Sequence, residues 1–172
     1  SQLTFETRFQ VESGRPTFAS YASASQSNEF NLWVSTGGNL GFHINGSSVI
    51  TSLSESAFND GSIHSLALSW DNTSGAWQVY LDGVLADSGT GHAVGATLGA
   101  GGTLILGQEQ DSLGGGFESE EAFQGTLYDV RIWDQVRNEA EITLNYQQKF
   151  DSGSLPSGLI ANWQMDGFNG SN

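Results

Sequence analysis

The sequence predicts an all-β fold, a sandwich or barrel of antiparallel strands, and three observations predict it. Short runs rich in β-branched and aromatic residues recur along the chain, with apolar and polar side chains alternating. Clusters of Gly, Asn, Asp and Ser separate those runs at short intervals. Helical spacing of apolar residues occurs at one place, near the C-terminus. The first run, LTFETRFQVE (3–12), sets Leu3, Phe5, Thr7, Phe9 and Val11 against Thr4, Glu6, Arg8, Gln10 and Glu12. That period-2 pattern predicts a strand with one face buried. NEFNLWVS (28–35), LGFHINGS (40–47) and SVITSL (48–53) follow as further strands. HSLALSW (64–70) and AWQVYLDG (76–83) read as a hairpin, in which Asp71, Asn72 and Gly75 supply the turn and Asp82-Gly83 opens a second tight turn. TLILGQ (103–108), GTLYDVRIW (125–133) and LIANWQMD (159–166) complete nine candidates, enough for two sheets. A short helix is predicted near 138–147, where Asn138 can cap and Glu141 can close a capping box. Ile142 and Tyr146, four apart, would pack it onto the sandwich.

At 172 residues, with no linker or internal repeat, the chain is expected to be a single domain over 1–172. Apolar residues make up 37%, including five Trp, so there is material for a core and the disordered class is excluded. The formal net charge is −14, and Arg8, Arg15, Arg131, Arg137 and Lys149 are the only Lys and Arg residues, so nucleic acid and anionic membrane surfaces would be repelled. No run approaches the roughly 18 apolar residues of a membrane helix, and no insertion into a membrane is expected. The absence of Cys removes disulfides, thiolate zinc sites and thiol nucleophiles together. Neither a starting Met nor a basic, apolar leader is present, which reads as a piece of a larger extracellular protein.

Charge is concentrated in GQEQDSLGGGFESEEAFQG (107–125), which holds Glu109, Asp111, Glu118, Glu120 and Glu121 and neither Lys nor Arg. Two unpaired carboxylates about 5 Å apart repel by roughly 3 kcal/mol at an effective dielectric near 20. Such a loop therefore either lies open in water or gathers its oxygens around a hard cation such as Ca²⁺.

SYASASQSNEFNLWVS (20–35), SLALSW (65–70), ILGQEQDSLGGGFESEEAFQGTLYDVRIWD (105–134) and the terminal LIANWQ resemble the pentraxins and the wider laminin-G-like, concanavalin A-like group. The resemblance implies a two-sheet jelly-roll β-sandwich that binds two adjacent Ca²⁺ ions on one face and, through them, phosphocholine or acidic and hydroxylated glycans. Carried over by position, it makes Asn28, Glu109, the main-chain carbonyl of Gln110 and Asp111 ligands of one ion. Glu109 and Asp111 would bridge to the second, completed by Glu118 and Glu121. The residues themselves agree: Glu109 and Asp111, two apart, point the same way in extended chain, and Gly114, Gly115 and Gly116 let the chain double back with Glu118 and Glu121. Glu120 is expected to point elsewhere, into solvent. Ser27 stands where the family has Asp, and Glu121 where it has Gln, so ligand strength would be redistributed between the sites. Trp33 falls on the family's pocket aromatic, whereas Ser48 falls near its choline-contacting Glu, which favours a sugar ring over a cationic headgroup. The family's first strand and its two Cys have no counterpart, Ala67 lying near one of those positions.

Trp33 reads equally as a ligand platform, with Asn31 and Ser27 beside it, or as a core aromatic, whereas Trp70, Trp77, Trp133 and Trp163 read as core. His64 reads as a satisfied histidine at a strand start, and His43 and His92 are isolated from one another, so no histidine metal cluster is expected. Asn45-Gly46-Ser47 and Asn72-Thr73-Ser74 match a glycosylation sequon that matters only in a eukaryotic secretory host. Three functions follow. The first is a calcium-dependent lectin module of a secreted or surface protein such as a bacterial adhesin, monomeric within its long chain and binding cell-surface glycans or polysaccharide. The second is a calcium-dependent module that receives a protein or peptide carboxylate or has a structural role. The third is a glycoside hydrolase, for which Glu118 and Glu120 on one face of a strand would be the carboxylate pair.

Overall fold

The computed structural model describes residues 1–150 and 155–165. Among the described residues eleven strands form two sheets: β1 (Gln2–Ser13), β2 (Thr17–Ala22), β3 (Phe30–Val34), β4 (Asn39–Ile44), β5 (Ser47–Ser54), β6 (His64–Asp71), β7 (Ala76–Leu81), β8 (Val84–Gly89), β9 (Thr103–Leu106), β10 (Gln124–Trp133) and β11 (Leu159–Gln164). A six-stranded sheet runs β11-β10-β1-β6-β7-β8 and a five-stranded sheet runs β5-β4-β3-β2-β9, every pair antiparallel. This is the two-sheet jelly-roll sandwich the sequence predicted. The helix α1 (Glu139–Asn145) carries the expected capping box between Asn138 and Glu141. The final residue of the predicted last strand, Asp166, lies outside the described residues.

The core lies between the sheets. Phe5, Phe9, Leu66, Leu68, Trp70 and Val79 of the larger sheet meet Phe18, Leu32, Leu40, Phe42 and Ile44 of the smaller one. Phe9 is central, with ring centroids 4.8 Å from Phe18 and 5.7 Å from Phe58, both edge-to-face. The predicted hairpin is β6–β7, with Trp70 opposite Trp77. Asp82 (φ 50°) and Gly83 (φ 78°) then turn the chain in two residues into β8.

Several expectations change. β2 and β8 are additional strands. β1 was expected to bury one face, but Thr4 and Glu6 of the other face are buried as well, because α1 and the chain around it cover the outer face of the larger sheet. Thr4 Oγ1 donates to Gln135 O at 2.8 Å, Ile142 packs on Ala67 and Tyr80, and Arg131 meets Glu6 at 3.5 Å. Trp133 is buried on that outer face, under the Arg137 guanidinium 3.9 Å from its ring, rather than between the sheets. Trp163, expected in the core, is 40% exposed, since it lies opposite Val130 on β11, the edge strand of the larger sheet.

The outer face of the smaller sheet stays open and carries two cross-strand rows. Thr17, Trp33, Gly41 and Ile50 pair in sequence across β2-β3-β4-β5, and Ser20, Asn31, His43 and Ser48 form the neighbouring row. Gly41 is required there, because a Cβ would stand 3.0 Å from the Trp33 ring and 2.9 Å from Ile50 Cδ1.

Candidate functional site

The acidic loop is fastened to that open face. After β9, Gly107 (φ 77°) turns the chain; its N–H donates to Phe18 O at 3.0 Å and its carbonyl accepts from Phe123 N at 2.8 Å. Ser20 Oγ donates to Gln108 O at 2.7 Å. The Gln110 side chain is fully buried and acts as a bolt. Its Nε2 donates to Ser20 O and Thr103 O at 3.1 and 2.9 Å, and its Oε1 accepts from Gly114 N at 2.9 Å. Ser112 and Gly115 exchange main-chain hydrogen bonds, which doubles the chain back as predicted. Gly116 packs on Asp111, where a Cβ would lie 2.7 Å from Asp111 Cβ. Gln108 Nε2 then donates to Glu118 O at 2.8 Å, and a 3-10 turn at Ser119–Glu121 leads into β10.

These contacts build a cleft of about 310 Å³. Glu109, Asp111, Glu120 and Glu121 line it from the loop, Asn31 and Trp33 from β3, His43 from β4, and Arg15 and Thr17 from the start of β2. Glu109 is 7% exposed, and its carboxyl is pushed up to about 7, first by burial and then by the charges of Glu121 and Asp111. Glu121 is also raised, by burial and then by Glu118 and Asp111, against a downward pull from Arg15. The two carboxyls lie close enough to share a hydrogen bond. His43 is lowered, mainly by burial, so the ring stacked on Trp33 at 4.3 Å and 11° is a neutral imidazole.

Three oxygens of the cleft are buried without a hydrogen-bond donor, Asn31 Oδ1, Glu109 Oε2 and Glu121 Oε2, and Asn28 Oδ1, in the bend before β3, is likewise buried without one. An unsatisfied buried acceptor costs about 1–3 kcal/mol. A set of acceptors without donors is the chemistry of a hard-cation site, whose ligands are carboxylate, amide and main-chain oxygens. The carboxylates are gathered rather than closed into a cage: among the described residues no three His, Asp or Glu side chains stand in the geometry of a finished metal site.

The sequence-derived residues are partly brought together. Glu109, Asp111, Glu121, Asn31 and Trp33 share the cleft. Glu118 is exposed and does not line it, although its charge reaches Glu109 and Glu121. Gln110 turns its side chain inward, so that only its main-chain carbonyl is left to contribute. Ser27 and Asn28 lie in the bend before β3 and line no part of the cleft, Asn28 O accepting from Gly46 N at 2.7 Å. Glu120, expected to point away, lines the cleft, because a 3-10 turn replaces the extended chain on which neighbouring side chains alternate. The same turn removes the strand face that would have paired Glu118 with Glu120 as a hydrolase dyad. Trp33 is half-buried on the open face and is no core residue. Arg15, His43 and Glu120 were missed. Pairing 28–35 with 40–47 as a hairpin could have set His43 opposite Asn31, whereas nothing local marks Arg15.

His64, at the start of β6, is satisfied as expected, held by Asp82 and Asp60 at 2.7 and 3.1 Å. His43 and His92 are close enough that the charge of one lowers the other. No helix among the described residues is long and apolar enough to cross a membrane.

Comparison with known proteins gives one consistent result. The profile of the Pentaxin family matches residues 2–170. Sushi, von Willebrand factor type A, EGF and pentraxin domain-containing protein 1 of Rattus norvegicus is 41% identical over 114 residues, 66% of this chain and 3% of that protein. C-reactive protein 1.1 of Limulus polyphemus is 32% identical over 150 residues, 87% of this chain and 62% of that protein. The crystal structure of a native heptameric SAP-like pentraxin from Limulus polyphemus superposes with a TM-score of 0.70 at 29% identity, covering 83% of this chain and 68% of that one. The chain thus spans less than two thirds of the length of these two sequence relatives.

Proposed function

The chain belongs to the Pentaxin family, and on that premise we propose that residues 1–172 are a calcium-dependent carbohydrate-binding module of a secreted or cell-surface protein, such as a bacterial adhesin. The observation that carries the reading is the set of buried oxygens without donors in the cleft, at Asn31, Glu109 and Glu121. Glu109, Asp111, Glu118 and Glu121 would hold two Ca²⁺ ions, with Asn28 and the Gln110 carbonyl on the first. Bound there, calcium supplies open coordination positions for vicinal hydroxyls. The chain's own part is to set an aromatic surface beside them: Trp33, stacked on the neutral His43 ring and resting over Gly41, suits the apolar face of a pyranose. Ser27 is placed farther off, as a contact for a longer glycan. The module works as a monomer and turns nothing over, since Glu118, one of the two carboxylates that hydrolysis would need, is given to the ions and the 3-10 turn takes Glu120 off its face.

A second reading has an observation of its own. Arg15 stands exposed at the cleft with its charge felt by Glu121, which would suit the carboxylate of a protein or peptide partner. A glycan array probed in calcium and again in EDTA tests the proposal. Chelator-sensitive glycan binding that free sugars compete away supports it. Binding competed by peptides and not by sugars supports the second reading, and binding indifferent to EDTA contradicts both.

A further inference from the structure

The loop supplies most of the oxygens at this site, but the most deeply buried amide in the cleft comes from the sheet. Asn31, on the outer face of β3, is 3% exposed, and its Oδ1 is buried without a donor. Its Nδ2 donates to Glu109 Oε1 at 3.4 Å. That contact fixes the amide, because turning it over would set two acceptors against each other. Asn31 Oδ1 and Glu109 Oε2 are therefore unsatisfied oxygens on two side chains that touch and line the same cleft.

We propose that Asn31 Oδ1 is itself a ligand of the cation held by Glu109, so that the site is built on the sheet as well as on the loop. This inference rests on the calcium reading above and changes what Asn31 is for. A sugar contact would need Asn31 to present its oxygen to a hydroxyl, whereas a ligand presents it to the ion. The strand makes the better anchor, because β3 is hydrogen-bonded on both sides, to β2 and β4. An amide there cannot drift as the exposed Asp111 and Glu118 can. Neutral amide oxygens are ordinary calcium ligands, and one placed against a carboxylate adds a donor atom without adding repulsion.

The test is calorimetric titration of Ca²⁺ alone, without sugar, into chelator-stripped wild type, Asn31→Ala, Asn31→Leu and Asn31→Asp, each first checked for native thermal unfolding in EDTA. The expected result is a loss of about tenfold or more in affinity for the Ala and Leu variants. The Asp variant, whose oxygen takes the same position, keeps wild-type affinity or exceeds it. Wild-type calcium affinity in all three would make Asn31 a glycan contact at most and overturn the inference, while leaving the lectin reading intact. Weakening of the Asp variant to the level of Ala would show that only the N–H to Glu109 matters, and would overturn it too. A wild-type chain that takes up no calcium would overturn the reading beneath the inference, and the inference with it.

Discussion

Replacing Glu109 by Gln should stabilise the metal-free protein at alkaline pH while destroying its response to calcium. An acid held near 7 in the fold against an ordinary 4.5 binds its proton more tightly when folded. Its contribution is therefore complete below about pH 4.5 and is lost as pH rises through 7. At about 1.4 kcal/mol per tenfold in the proton equilibrium the ceiling is about 3 kcal/mol. Screening on the open side of the cleft reduces this to about 1–2 kcal/mol. Gln keeps the acceptor for Asn31 Nδ2 and offers Glu121 a donor, so the shape of the site is retained. Urea unfolding in EDTA should then find Glu109→Gln about 1–2 kcal/mol more stable than wild type at pH 8 and equal to it at pH 4.5. In calcium at pH 8 the order should reverse: a ligand at a hundredfold excess over its dissociation constant adds about 2.7 kcal/mol to the wild type, and little to the variant. A variant less stable than wild type in EDTA at pH 8 would refute the reasoning, for the Glu109 charge would then be no burden to the fold.

Trp33→Ala should weaken glycan binding by about 1–2 kcal/mol, roughly tenfold, with calcium affinity unchanged, as titrations of sugar and of ion would separately show. Phe9→Ala opens a void where Phe9, Phe18 and Phe58 meet and should cost about 3–5 kcal/mol by denaturant unfolding, without altering calcium stoichiometry at temperatures where the variant is folded.

Much of the fold is legible in the sequence because most strands keep one polar face or end at a Gly, Asn or Asp turn. β2, TFASYA, escapes for the opposite reason: it lies between β3 and β9, nearly all of it is buried, and small residues take the place of an alternating pattern. β8, VLADSG, is an exposed edge strand whose Asp, Ser and Gly read as a loop, and register with β7 makes it a strand. The acidic loop is legible from composition alone, and the tight turn at its three glycines follows from their backbone freedom. What encloses the cleft is not legible locally. Arg15, Asn31 and His43 come from three separate segments that meet only through sheet order, and the 3-10 turn that swings Glu120 inward leaves no periodic signal.

The paired-cation site is tested most directly by calorimetric titration of Ca²⁺ into chelator-stripped wild type and Glu109→Ala. Two ions bound per wild-type chain, with both weakened by the single substitution, are predicted because Glu109 would bridge them. No heat from the wild type, or uptake indifferent to Glu109, would contradict the site and leave the loop a solvated acidic surface.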